Sequence, residues 1–163
     1  HANSPMPAGL ELLHGYFETF EYTARFDVIE AGFVLEHVQD PSLVLRRLHQ
    51  FIAPAGRIFI AVPNARSLHR LFGHIAGFLP DMYALSPADV ALGHRRYFDL
   101  ARLTALVQDA GFQIARVRGM LLKPFTTHQL QQLELPETVW QAMMEVGSDY
   151  PEISNSIYME LVA

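Results

Sequence analysis

The sequence predicts an α/β fold, with an open, mostly parallel sheet doubly wound by helices. Three observations lead there. From Phe26 onward, segments with strand and helix patterning alternate, which is the order of a sheet covered by helices. The run "RIFIAV", Arg57 to Val62, is almost wholly apolar, as a parallel strand covered on both faces requires. The stretch "FDVIEAGFVLEHVQDP", Phe26 to Pro41, begins as a buried strand and ends as a helix start. Between them lies a short loop carrying Gly32, Glu36 and His37, and in open α/β sheets ligands sit beyond such carboxyl ends of strands.

Taken in order, Leu10 to His14 reads as a short strand closed by Gly15, and "YFETFEYTAR" as loop with a helical turn. Phe26 to Ala31 is a strand centred on Val28 and Ile29. Asp40 caps a helix whose first position is Pro41, where the missing N–H costs nothing. Val44, Leu45, Leu48, Phe51 and Ile52 share one face of that helix, and Pro54 and Gly56 break it. The Arg57 to Val62 strand ends at Pro63-Asn64. Leu68, Leu71, Phe72 and Ile75 recur at helical spacing within 65–78, and the irregular stretch up to Phe98 has two prolines. Residues 65–98 therefore read as a lid or acceptor-binding insertion inside a single domain covering 1–163. Asp99 caps a helix with the stripe Leu100, Leu103, Leu106, Val107 and Ala110, and Gly111 stops it. Phe112 to Val117 is a strand, Pro136 to about Val146 a helix around Trp140, and Ser156 to Val162 the last strand.

Composition narrows the function. Half of the 163 residues are apolar and 18% are charged, enough for a core and too few charges for a disordered chain. A net charge of −5, with only the local pairs Arg46-Arg47 and Arg95-Arg96, argues against a nucleic-acid partner. The absence of cysteine excludes disulfides, thiolate metal sites and cysteine nucleophiles, and fits a cytoplasmic setting. No apolar run approaches the roughly 20 residues of a membrane helix, so no membrane partner is expected. "HANSPMPAG" lacks an apolar signal core and reads as a linker or cut end. There is no G-x-S-x-G elbow, H-E-x-x-H motif or P-loop, and the eight histidines are scattered.

The succession of an FDVI strand, an LEHV-D-P turn, a helix, a P-x-G-R turn and a VPN strand end resembles the middle of class I S-adenosylmethionine-dependent methyltransferases, of the ubiquinone-type and small-molecule kind. "GHRRYFDLARLTALVQDAGFQI" resembles their next segment, and the likeness spans about residues 9 to 118. It implies a Rossmann-like methyltransferase fold and S-adenosyl-L-methionine as cofactor. It also implies transfer of a methyl group to an oxygen or nitrogen of a small-molecule acceptor. "VPNARSLHRL" and "ALSPADVALGHRRYFDL" resemble methyltransferases of bacterial glycan clusters, which suggests a sugar or surface-glycan intermediate. The family's Gly-rich first loop and the acidic end of its second strand do not occur here. The chain thus reads as the last two-thirds of the fold, with the rest of the donor pocket expected before His1. The Phe26 strand is then expected to have an open edge, which a partner such as a second copy would cover. On that ground the chain alone is expected to be inactive. A non-catalytic methyltransferase-like module that pairs with another chain is the alternative. A nicotinamide-dependent dehydrogenase shares the fold class but has no motif here.

The resemblance also assigns residues. "HGYFE" falls where the family contacts adenine, making Tyr16 and Phe17 cofactor residues or, equally, core aromatics. Ala31, Gly32 and Phe33 fall beside the methionine moiety, with Gly32 admitting close backbone approach or merely a turn. His37 and His94 are the candidate catalytic groups, since a neutral imidazole is available near pH 7; capping roles are their alternative. Tyr83, Arg95, Arg96 and Tyr97 are candidates to hold the acceptor, the arginines through an anionic group if they are not simply solvated. His69 and His74 are weaker candidates. In the related Glu-x-x-Glu-His pattern a divalent metal is bound, but Phe33 stands at the first position. With one hard oxygen ligand lost, no Mg²⁺ site is expected.

Overall fold

The structure is a computed structural model that describes residues 8–163, so most of the linker-like opening lies outside the described residues. Its centre is a four-stranded sheet in the order β1-β2-β4-β3, formed by β1 (Phe26–Gly32), β2 (Ile52–Pro63), β3 (Gln113–Met120) and β4 (Ser156–Val162). β1 pairs with β2 in parallel, while β4 pairs antiparallel with both β2 and β3. β1, β2 and β3 therefore run the same way and β4 is inserted between β2 and β3 in reverse. The expected α/β class and the predominance of one strand direction both hold.

The helices are α1 (Pro41–Phe51), α2 (Leu68–Ile75), α3 (Pro87–Ala91), α4 (Leu100–Asp109), α5 (Thr127–Gln131) and α6 (Glu137–Asp149). Asp40 and Asp99 cap α1 and α4 as the sequence predicts, accepting from the Leu43 and Arg102 backbone N–H groups at 2.9 and 2.7 Å. Ile58, Ile60 and Val62 of β2 are sealed against Ile157, Met159 and Leu161 of β4, Leu45 and Leu48 of α1, and Leu103 and Val107 of α4. Each such side chain stabilises the fold by about 1.5–3 kcal/mol through removal from water. His49 is structural: its ring stacks on Phe112 at 3.8 Å and its Nε2 lies 2.9 Å from the Ala110 carbonyl.

Several expectations change. Leu10 to His14 forms no strand; it is exposed, and among the described residues no neighbour offers it a ladder. β2 starts at Ile52 rather than Arg57, because the residues around Pro54 bulge out of register against β1, with Ala55 at φ +63°. The helix expected within 65–78 shortens to α2, α3 arises in the stretch read as irregular, and α5 in a stretch given no assignment from the sequence. Among the described residues β1 pairs with β2 alone, and Val28 on it is 59% exposed.

Candidate functional site

The carboxyl ends of β1 and β2 meet three loops. After Gly32 the chain turns at Phe33 (φ +56°), whose N–H donates to the Ala61 carbonyl at 2.7 Å. Leu35 plugs into the core, and this drags the next side chain, Glu36, out of solvent. Asn64, just past β2, bridges to Phe98 and so draws residues 94–98 against the same loop. The Arg95 N–H donates to the Glu36 carbonyl at 2.8 Å and the Arg95 Nε to the His37 carbonyl at 2.9 Å.

That seam joins residues far apart in sequence. The His37 and His94 rings lie 4.7 Å apart, edge to face. His37 Nε2 is 3.9 Å from Glu36 Oε1. The Glu36 side chain is 0% exposed, and neither of its oxygens has a hydrogen-bond partner. Burial pushes the Glu36 carboxyl above the usual carboxylate range, opposed more weakly by its own backbone N–H nearby and by the neighbouring His37. His94 is held below the usual histidine range by burial and then by His37, against the pull of Asp89. Its ring therefore keeps a free lone pair near neutral pH.

Asp89 sets His94. Its Oδ1 lies 3.6 Å from His94 Nδ1 and accepts from the Tyr97 hydroxyl at 2.9 Å, while Oδ2 accepts from Ser86 in a capping box that opens α3. The Arg70 guanidinium sits 4.0 Å over the Tyr97 ring and donates to the Met82 and Ala84 carbonyls. Burial pushes the Tyr97 hydroxyl up to about 12, so it remains a donor at every physiological pH.

The other expected residues divide. Arg96 donates to the Leu35, Val38 and Gln39 carbonyls, so its fork clamps the His37 loop instead of facing an open cleft. Arg95 is engaged with the same loop, and Tyr97 with Asp89. The Tyr83 hydroxyl donates to the Asp99 carboxylate, and its ring lies 3.6 Å under Arg102, with no contact to the histidine pair among the described residues. Ala31 is buried, Gly32 half-buried and Phe33 45% exposed, so the turn is open to a ligand at Phe33. Phe17 packs on Phe51 at 5.5 Å and lines a pocket of about 200 Å³ with Leu13, Gly15 and Phe20. Tyr16 beside it is 81% exposed. We expect Arg96→Met to cost about 2 kcal/mol in chemical denaturation, since three carbonyls lose a charged donor. Arg96→Lys should restore only part of that, because an ammonium cannot reproduce the fork.

A groove between α2 and the start of α5 leads to Asp89 and Tyr97. Two adjoining cavities of about 360 and 350 Å³ share His69, Gly73, Phe78 and Thr126. The first opens between Phe72 and Phe125, and the second ends on Asp89 and Tyr97. Burial, with Lys123 and Arg70 nearby, pushes His69 down to about 4, so the groove carries no charge on that ring at neutral pH. His74 is exposed and bonds the Leu79 carbonyl at 2.8 Å. Sequence reasoning missed Asp89 and Arg70. For Asp89 a signal existed, the Ser86-x-x-Asp89 spacing of a capping box.

The chain is similar to known proteins in sequence and in fold. Residues 4–117 match the sequence pattern of a family described as "Methyltransferase domain". The chain is 29% identical over 109 residues to proteins named "Ubiquinone biosynthesis O-methyltransferase" from Pseudomonas paraeruginosa and Pseudomonas syringae pv. tomato. The alignment covers 66% of this chain and 45% of each relative, so the chain spans about half their length. Among solved structures, an S-adenosylmethionine-dependent methyltransferase from Mesorhizobium loti superposes with a TM-score of 0.55 at 14% identity, over 90% of this chain and 66% of that one. One from Thermotoga maritima gives 0.56 at 14% identity, over 94% and 64%. These likenesses establish the shared fold.

Proposed function

Since the chain belongs to the methyltransferase-domain family, we propose that it forms the acceptor side of an S-adenosylmethionine-dependent O-methyltransferase. The observation that carries this reading is the convergence of Glu36, His37 and His94 beside the open turn at Phe33, at the carboxyl end of β1. In an open α/β sheet this is where a ligand lies. The sulfonium of the cofactor is already activated, so the protein's task is to hold the acceptor in line with the methyl group and to handle one proton. Phe33, Gly32 and the pocket at Phe17 are assigned to the donor. The lone pairs of His37 and His94 are assigned to the acceptor oxygen, with Asp89 orienting His94 and Arg96 fixing the loop.

The acceptor is proposed to be a hydroxyl on an aromatic, largely apolar molecule. Phe72, Phe78 and Phe125 line the groove that leads to Asp89 and Tyr97, a surface suited to a ring or an alkyl tail. The curated relatives are O-methyltransferases of ubiquinone biosynthesis, which favours oxygen. The relatives named above give no support to the sugar or surface-glycan acceptor expected from the sequence.

Two measurements test the reading. S-adenosylhomocysteine should bind the full encoded protein in a calorimeter, and labelled S-adenosylmethionine should methylate a catechol probe. Turnover of a nucleotide sugar but not the catechol would restore the glycan reading, and failure of S-adenosylhomocysteine to bind would end the methyltransferase reading.

A further inference from the structure

We propose that the groove between α2 and α5 is a binding site for an apolar, monoanionic carboxylate, held by the Lys123 ammonium and the His69 ring. The first ground is an uncompensated charge. Lys123 is 6% exposed, and its Nζ donates to Thr127 Oγ1 at 2.7 Å. An ammonium has three protons to donate, and this one has no other side-chain partner among the described residues. Burial holds Lys123 below the usual lysine range, and no neighbouring carboxylate opposes that shift. A buried cation left so is costly, and an anion beside it offsets the cost. The second ground is His69. Its Nδ1 is buried without a hydrogen-bond partner, and its ring lines both cavities where they adjoin. The Lys123 charge acts on that ring, and Pro124, Phe125 and Thr126, which follow Lys123 in the chain, line the first cavity. The flexible four-carbon stem lets the ammonium turn toward it.

The ligand's chemistry follows from the rest of the lining. Phe72, Phe78, Pro124 and Phe125 give the first cavity an apolar wall, so the body of the ligand is a ring or a short alkyl chain. The cavity's volume of about 360 Å³ suits a molecule of that size. The charge is a single one. Arg70, the other cation near His69, is spent on the Met82 and Ala84 carbonyls and on the Tyr97 ring. Asp89, at the inner end of the second cavity, repels further negative charge. One ammonium is left to balance, which fits a carboxylate rather than a phosphate dianion. One carboxylate oxygen then accepts from Lys123 Nζ and the other from the N–H of the neutral His69 ring. That the carboxylate belongs to the methyl acceptor rests on the methyltransferase reading; its binding does not. An acceptor held in this way would direct its far end along the second cavity, toward Asp89 and Tyr97.

The test uses the full encoded protein, with cinnamate and its uncharged amide, cinnamamide, as probes. Calorimetry should show one cinnamate per chain, bound at least about tenfold more tightly than cinnamamide, as one charge-assisted hydrogen bond predicts. Lys123→Met should weaken cinnamate by at least about tenfold and leave cinnamamide within about twofold. Methionine keeps an apolar stem without the charge, so this variant should melt no lower than the parent. A second readout needs no variant. In proton NMR the His69 ring should titrate at higher pH with cinnamate bound, because an anion beside an imidazole favours its charged form. Equal affinity for cinnamate and cinnamamide, cinnamate binding unchanged in Lys123→Met, a His69 titration unmoved by cinnamate, or inorganic phosphate bound more tightly than cinnamate would each overturn the proposal. S-adenosylhomocysteine binding, measured on the same samples, separates this failure from that of the methyltransferase reading.

Discussion

Gly119→Ala lowers the unfolding midpoint of this chain by roughly 10 °C, the equivalent of about 3 kcal/mol for a domain of this size. A Cβ on Gly119 would lie 2.1 Å from the Gly147 carbonyl oxygen and 2.5 Å from Ser154 Oγ. The first obstacle is backbone, which no rotamer can move. From the other side, a Cβ on Gly147 would meet the Leu122 and Leu121 backbone nitrogens at 2.6 and 2.8 Å. The end of β3 and helix α6 therefore touch main chain to main chain, and neither can yield alone. The damage reaches the site. Ser154 Oγ donates to the Gly147 carbonyl at 2.7 Å, and the Pro151, Glu152 and Ser154 carbonyls accept from Asn64 Nδ2 at 3.1, 3.0 and 3.0 Å. Asn64 in turn pairs with Phe98, which seats residues 94–98. Gly73→Ala is the control. Its Cβ would meet only Leu79 Cβ, at 3.9 Å, so in α2 it should stabilise by about 0.5–1 kcal/mol. Circular-dichroism melts of both variants decide the matter, and a Gly119→Ala midpoint within about 2 °C of the parent would show that the junction is looser than drawn.

The contrast between those two glycines marks what a sequence displays. Asp40-Pro41 and Asp99 announce helix starts because their chemistry is local: a carboxylate reaches an N–H three residues on. The apolar runs of β1 and β2 are visible for the same reason. The reversed insertion of β4 between β2 and β3 is not, because periodicity identifies a strand without naming its neighbour. Gly119 and Gly147 look alike in sequence to Gly73, and only packing distinguishes them. At the site, Glu36-His37 stands out in the sequence as a polar pair after an apolar strand. His94 lies 57 positions further on, and only the Asn64–Phe98 bridge brings it alongside. The arginines mislead for a physical reason: a guanidinium near a crevice serves an anion or loose carbonyls equally well, and here the loop between Leu35 and Gln39 takes Arg96. The α5 start was legible, since Thr126-x-x-Gln129 forms a capping box like that of α3.

Glu36→Gln should make the chain more stable at pH 7, by about 1–3 kcal/mol, because a neutral amide replaces a buried carboxylate whose oxygens have no hydrogen-bond partner. The pH dependence fixes the sign. Unfolded glutamate ionises at about 4.3, and burial raises that value in the folded chain. Stability linked to Glu36 is then fully present below the unfolded value and is lost as pH rises through the folded one. The advantage of the glutamine variant should accordingly be largest at neutral pH and close on acidification, while every other carboxylate cancels in the comparison. Melting curves of the two proteins recorded from acidic to neutral pH read this difference. A glutamine variant less stable than the parent at neutral pH would mean that Glu36 has a partner in the folded chain and that its burial is compensated.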